Sequence, residues 1–167
     1  GIDFIGIIRA AVKNFTGQSR EGASTITMQV ARNFFLSSEK TLKRKINEIL
    51  LSLKIENKLS KEEILELYIN QIYLGQRSFG FSAAANTYFN KTLENLNLAE
   101  IALLAGLPKA PSRYNPLSNP DLAIARQHTV LNNMFRYGFI DRPSYILALE
   151  ENLDLVEKNI RYEIQAD

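Results

Sequence analysis

The 167-residue chain has no cysteine. Disulfides and thiolate metal sites are therefore excluded, and the redox character of a compartment leaves no mark on the sequence. No apolar run approaches the roughly 18 to 20 residues of a membrane-spanning helix, and no positively charged leader precedes a cleavage site. The single histidine, His128, has no cysteine or acidic neighbour at the spacing of a metal site or a triad; it is read as carrying no proton and no metal. No metal-binding pattern occurs elsewhere. The net charge of +2, from 20 Lys and Arg against 18 Asp and Glu, is too small to argue for nucleic acid, but it leaves room for local clusters of cations. Internal repeats and low-complexity segments are also missing. What is present is an ordinary globular composition, 46% hydrophobic, in a chain long enough for one domain with a real core. Gly1-Ile2-Asp3 has no initiator methionine and leads almost at once into an apolar stretch, so a fragment of a longer protein is expected.

Apolar residues recur at helical spacing nearly everywhere and strict alternation is hard to find, which predicts a mainly α fold. Ser60 with Glu63, and Asn97 with Glu100, have the form of capping boxes. Asn119 before Pro120 pairs a capping side chain with a proline suited to a first helical turn. These signals open helices near 61–74, 98–107 and 120–136. Gly138 suits a helix stop, and Asp141 suits the cap of a further short helix from Arg142. Pro108, Pro111 and Pro116 predict an ordered loop over the surface between the second and third of these helices.

A helix from about Glu39 to Asn57 carries Leu42, Ile46, Ile49, Leu50 and Leu53 on one face, which is expected to be core. On its other side Arg44 and Glu48 are spaced i,i+4, and Lys45 precedes Glu48 by three residues. Two readings are open: a weak surface ion pair, or a helix buried on two sides whose carboxylate and two cations project into a cleft. Residues 22–29, Gly-Ala-Ser-Thr-Ile-Thr-Met-Gln, place small and hydroxyl side chains before a helical pattern. Such a start either is simply capped by Ser24 or Thr25 or holds an anion on its free N–H groups. Arg32 adds positive charge one turn beyond Met28 and Gln29, and Phe34-Phe35-Leu36 reads as core rather than as a lipid-dipping patch.

Three of these segments together resemble successive motifs of the family 51 glycosyltransferases: residues 22–29, then Arg44-Lys45-Ile46-Asn47-Glu48, then the run from Lys61 to Asn70. Tyr73-Leu74-Gly75, the stretch from Ala102 to Pro108, and Tyr114-Asn115-Pro116 extend the likeness over nearly the whole chain. Ordered motifs at compatible spacing are far harder to obtain by chance than one short pattern. The family comprises the polymerase domains of class A penicillin-binding proteins and their monofunctional relatives. The resemblance implies a mainly α, lysozyme-like glycosyltransferase domain that polymerises lipid II at the outer face of the bacterial cytoplasmic membrane. The acceptor's 4-hydroxyl attacks the anomeric carbon of the growing glycan strand with inversion, and undecaprenyl pyrophosphate leaves. By motif, Glu48 is the second acidic residue of the cleft, orienting or stabilising rather than removing the proton. Arg44 and Lys45 address pyrophosphate, Ser24, Thr25, Gln29 and Arg32 line the same donor region, and Arg126 matches a further substrate-contacting position. Tyr68 and Asn70 are architectural. The implied partners are lipid II, the glycan strand, the membrane surface, moenomycin-type inhibitors and other cell-wall synthesis proteins, without nucleic acid. No cofactor is required, although a divalent cation such as Mg could bridge the substrate pyrophosphate without a protein cage.

The pattern departs from the family at three places. The motif with the catalytic base ends at about Gly1, so the base and a membrane anchor are expected upstream. Met28 stands where a glutamine is more frequent, and Gln127 where a second arginine follows Arg126. Residues 1–140 are expected to form the glycosyltransferase domain, and 141–167 to begin a linker towards a transpeptidase domain. The alternatives are a non-catalytic module that binds lipid II or moenomycin, and a lysozyme-like hydrolase or lytic transglycosylase. The cations Arg32, Arg44 and Lys45 suit a pyrophosphate leaving group and have little purpose in hydrolysis.

Overall fold

The structure is a computed structural model that describes Asp3, Ile5, residues 24–35 and residues 41–156. Gly1, Gly22, Ala23, Leu36, Glu39 and residues 157–167, on which several expectations fall, lie outside the described residues. Seven α-helices are described: α1 (Ile26–Phe35), α2 (Leu42–Glu56), α3 (Lys61–Gln71), α4 (Phe81–Phe89), α5 (Leu98–Gly106), α6 (Pro120–Arg136) and α7 (Arg142–Glu150). Short 3₁₀ turns cover Leu93–Asn95 and Leu107–Lys109. Among the described residues there is no named strand, and the fold is mainly α as the periodicity predicts. The chain forms two compact units, Gly1–Gln71 and Ile72–Asp167.

In the first unit α1 packs against both α2 and α3. Its inward positions Thr27, Met28, Val30 and Ala31 recur at helical spacing and are buried, with Ile64 of α3 also in the core. Met28 is fully buried, which accounts for the departure at that position: the side chain fills core, and a glutamine there would need a buried partner. Thr41 caps α2, its Oγ1 accepting from Arg44 N at 3.1 Å. The capping box of α3 forms as expected, Ser60 N donating to the Glu63 carboxylate at 2.8 Å and Glu63 N to Ser60 Oγ at 3.2 Å. The helix stops at Gln71, short of 74.

The apolar face of α2 requires a correction. Leu42, Ile46, Leu50 and Leu53 are 86%, 58%, 52% and 44% exposed, and Ile49 is only half-buried, whereas Glu48 and Ser52 are the buried positions. Periodicity reveals which side chains share a face, not what that face meets. The opposite face can be buried because Glu48 has cationic and hydroxyl partners that offset its desolvation.

In the second unit α5 packs on α6 and both receive α7. Ala99, Ala102, Leu131 and Ala148 form the buried cluster, flanked by Leu98, Val130, Ile140, Tyr145, Leu149 and Leu153. The expected extension from 141 onwards therefore begins with residues that contribute to this core. Asn97 and Glu100 form the predicted capping box at 2.8 and 3.0 Å, and Asp141 caps α7 by accepting from Ser144 N at 2.9 Å. Gly138 follows α6 with φ +76°, a conformation costly for a side-chain-bearing residue. Asn119 does not cap α6 as predicted. Its Nδ2 donates instead to the carbonyl of Ser112 at 3.2 Å, so the side chain serves the preceding loop. That loop is ordered by the 3₁₀ turn at Leu107–Lys109 and by Asn115, buried, whose Oδ1 accepts from Leu117 N at 2.9 Å.

Candidate active site

A buried carboxylate organises the first unit. Glu48 lies on the inner face of α2, and three side chains donate to it: Lys45 Nζ to Oε1 at 2.5 Å, Arg44 Nη1 to Oε2 at 3.1 Å, and Ser24 Oγ to Oε1 at 3.3 Å. Lys45 also donates to Ser24 Oγ at 2.8 Å, closing a triangle of ammonium, hydroxyl and carboxylate. The helix dictates most of this. Positions 44, 45 and 48 are spaced i,i+4 and i,i+3 and so meet over one turn. Ser52, one turn further, donates to the Glu48 carbonyl at 2.6 Å. Of the two readings left open by the sequence, the surface pair is excluded by the 1% exposure of the Glu48 side chain, although the helix is not buried on its second side.

The cluster has one carboxylate and two cations, and the cations are the solvent-facing members: Arg44 is 17% and Lys45 32% exposed. One positive charge is therefore surplus at the rim. The Arg44 Nε is buried and has no hydrogen-bond partner among the described residues. A buried donor without an acceptor is costly. The arrangement can hold an oxyanion against Arg44 and Lys45, while Glu48 keeps both in place.

The remaining predicted residues divide. Thr25 is a cap: its Oγ1 accepts from Met28 N at 3.3 Å, and its carbonyl from Gln29 N at 3.0 Å. Ser24, its neighbour, joins the cluster instead. Gln29 and Arg32 lie on α1, partly exposed, and are not among the side chains that donate to Glu48. Arg32 sits close enough to Tyr68 to oppose, without cancelling, the upward push that burial gives the Tyr68 hydroxyl. This supports Tyr68 as a packing residue of α3, which rests chiefly on α1, while Asn70 is exposed. A second carboxylate in this unit, Glu56, accepts from Lys61 and from Thr27 Oγ1, and these two partners, Lys61 first, hold it at about 2.

Arg126 belongs to the second unit. Its Nε donates to the Gly106 carbonyl at 3.4 Å, and its guanidinium lies 6.0 Å from the Tyr114 ring centroid. Gln127, the departure from the family pattern, is 3% exposed and donates to the Ala99 carbonyl at 2.9 Å, fastening α6 to α5. A cation at that position would be buried in the helix interface, so the second charge has no place here. His128 is exposed on α6. Among the described residues no group of three or more His, Asp or Glu could hold a metal ion.

Comparison with known proteins places this geometry in context. A family model described as Transglycosylase matches residues 1–135. Penicillin-binding protein 1A of Neisseria gonorrhoeae is 58% identical over 154 residues, covering 92% of this chain and 19% of the relative. A provisionally named transglycosylase of Cupriavidus necator is 57% identical over 155 residues, covering 93% of this chain and 67% of that protein. The crystal structure of penicillin-binding protein 1A from Haemophilus influenzae matches with TM-score 0.57 at 33% identity, covering 84% of this chain and 19% of that one. The chain thus spans about a fifth of the length of the penicillin-binding proteins it resembles.

Proposed function

Since the chain belongs to the transglycosylase family, with the lysozyme-like fold of that domain, we propose that it is the glycosyltransferase part of a peptidoglycan polymerase acting on lipid II. The reaction joins the acceptor's 4-oxygen to the anomeric carbon of the growing strand. The bond from that carbon to pyrophosphate breaks, and undecaprenyl pyrophosphate departs with the electron pair. The acceptor proton goes to a general base, which the family resemblance assigns to the family's first motif. Charge grows on the departing pyrophosphate, and fixed cations are worth most where charge develops. The observation that supports this role is the cluster of Arg44, Lys45, Ser24 and Glu48, with more positive than negative charge and an Arg44 Nε that has no partner among the described residues.

In this reading Lys45 and Arg44 meet the pyrophosphate oxygens, and the Ser24 hydroxyl bridges the cluster by accepting from Lys45 and donating to Glu48. Glu48 is a positioning residue: it keeps two like charges on adjacent residues aimed at one place. Arg32 and Gln29 extend the donor region along α1. The work takes place at the outer face of the cytoplasmic membrane; no described helix of this chain is long and apolar enough to cross one. Phosphoglycolipid inhibitors of the moenomycin type compete for the same cations.

The test is polymerisation of labelled lipid II in detergent by this chain and by a form extended upstream as in the Neisseria relative. Polymer from the extended form alone supports both the activity and the upstream base. Polymer from neither, with moenomycin still bound by both, reduces the domain to a binding module and removes the catalytic role of the cluster.

A further inference from the structure

Helix α7 buries one face and exposes the other. Tyr145, Ala148 and Leu149 belong to the core of the second unit, and the Tyr145 ring stacks on Phe135 at 5.1 Å. The other face carries two neighbouring stripes at i,i+4 spacing, Arg142-Ile146-Glu150 and Pro143-Leu147, which line a shallow groove of about 480 Å³. Ile146 and Leu147 are exposed, and so is Phe139 just before the helix, although its N–H is fixed to the Met134 carbonyl at 2.9 Å.

The two charges of this face stand at the ends that an isolated helix favours least. Arg142 is the first residue of α7, where the free N–H groups already make the field positive, and Glu150 is the last, where the carbonyls make it negative. The nearby Asp141 is engaged as the cap. Neither Arg142 nor Glu150 is in an ion pair among the described residues. Within one chain they are two turns apart, about 12 Å along the axis, and cannot meet.

A second copy of α7 running antiparallel satisfies both charges at once. A stripe that reads cation, apolar, anion, with the charges four residues to either side of Ile146, is complementary to itself under a two-fold rotation, as an isologous contact requires. The rotation sets Arg142 of each copy against Glu150 of the other, with Ile146 and Leu147 between them. It also brings Phe139 level with a hollow of about 380 Å³ beside Glu150, whose apolar lining includes Ile124, Leu149, Leu153 and Leu155. A cavity of about 150 Å³ holds a benzene ring, so the hollow has room for this one.

We propose that the exposed face of α7 is the contact of a two-fold homodimer of this chain, in antiparallel register about Ile146. The proposal does not depend on the reaction. One helix face with its flanks is small beside the roughly 1,200–2,000 Å² of a stable interface, so the dimer is weak, with Kd of about 10–100 µM.

The experiment is sedimentation velocity of the 167-residue chain from about 1 µM to 1 mM. Arg142→Glu and Glu150→Arg each place like charges together across the axis, and each should weaken association about tenfold or more. Both also give the helix end the charge it prefers, so neither should lower the urea midpoint of the monomer, which separates lost association from lost fold. In an equimolar mixture of the two variants every facing pair is again of opposite sign, and a dimer of near wild-type affinity should return. The chain has no cysteine, so Ile146→Cys should form a symmetric disulfide on mild oxidation, about tenfold faster than Leu42→Cys, which is more exposed but lies away from the contact. A monomer throughout the range, a dimer that both charge reversals leave unchanged, or a mixture that stays monomeric overturns the proposal and leaves the face to a different partner. Species larger than a dimer in the mixture would mean a head-to-tail contact and would overturn it equally.

Discussion

Replacing Glu48 by glutamine changes almost nothing in shape and removes the charge on which the first unit is organised. The side chain is 1% exposed and accepts from Lys45 at 2.5 Å, Arg44 at 3.1 Å and Ser24 at 3.3 Å. Removing one member of a fully buried ion pair costs about 3–5 kcal/mol because the other is stranded. Here the stranded members are the cations, which at 17% and 32% exposure keep part of their hydration, and the new amide oxygen can still accept one bond. The expected loss is accordingly about 1–3 kcal/mol. For a chain of this size that corresponds to a fall in Tm of about 2–4 °C per kcal/mol. Urea unfolding followed by helical circular dichroism measures it. The loss should change little between low and high salt, since the carboxylate is shielded from mobile ions. Adding Lys45→Met to Glu48→Gln should cost less than the sum of the single changes, because the cation stranded by the first is removed by the second. A loss below about 0.5 kcal/mol, or one that vanishes in salt, would return Arg44, Lys45 and Glu48 to an ordinary surface pair.

The exposed stripe on α2 can be tested directly: Ile46→Lys with Leu50→Lys should change the stability of this chain by no more than about 1 kcal/mol in total, whereas a true core face would lose several. Gln127→Arg, which restores the family's second arginine, should destabilise by about 2–4 kcal/mol in the same urea assay, because it buries a charge and forfeits the bond to Ala99. Glu56 titrates at about 2 in the folded chain against an ordinary 4.5. Its contribution is present above pH 4.5 and is lost as pH falls towards 2, so the acid slope of the urea midpoint in that window should flatten in Glu56→Gln.

Much of this was legible in the residues, and the failures have identifiable causes. Reciprocal caps such as Ser60 with Glu63 and Asn97 with Glu100 are local, and local chemistry decided them. Asn119 had the same local signature, but a loop carbonyl seven residues back competed for its side chain. The spacing of Arg44, Lys45 and Glu48 showed that they meet; whether they meet in solvent or in the interior depends on Ser24 and on α1, which no helical period encodes. The same gap inverted the reading of Leu42, Ile46 and Leu50, where a correct stripe was given the wrong environment. Met28 and Gln127 looked like lost polar contacts when set beside a family pattern, and packing shows them instead as core and as a helix fastener.

The central claim is that Arg44, Lys45 and Glu48 serve the departing pyrophosphate. It is tested most directly by lipid II polymerisation with the upstream-extended protein carrying Lys45→Gln or Glu48→Gln, beside Lys61→Gln, which breaks an ion pair elsewhere in the same unit. The account predicts turnover falling by about 10²-fold or more in the first two, at temperatures where circular dichroism shows them folded, and near wild-type turnover in the third. Wild-type rates with Lys45→Gln or Glu48→Gln, or an equal fall with Lys61→Gln, would contradict it.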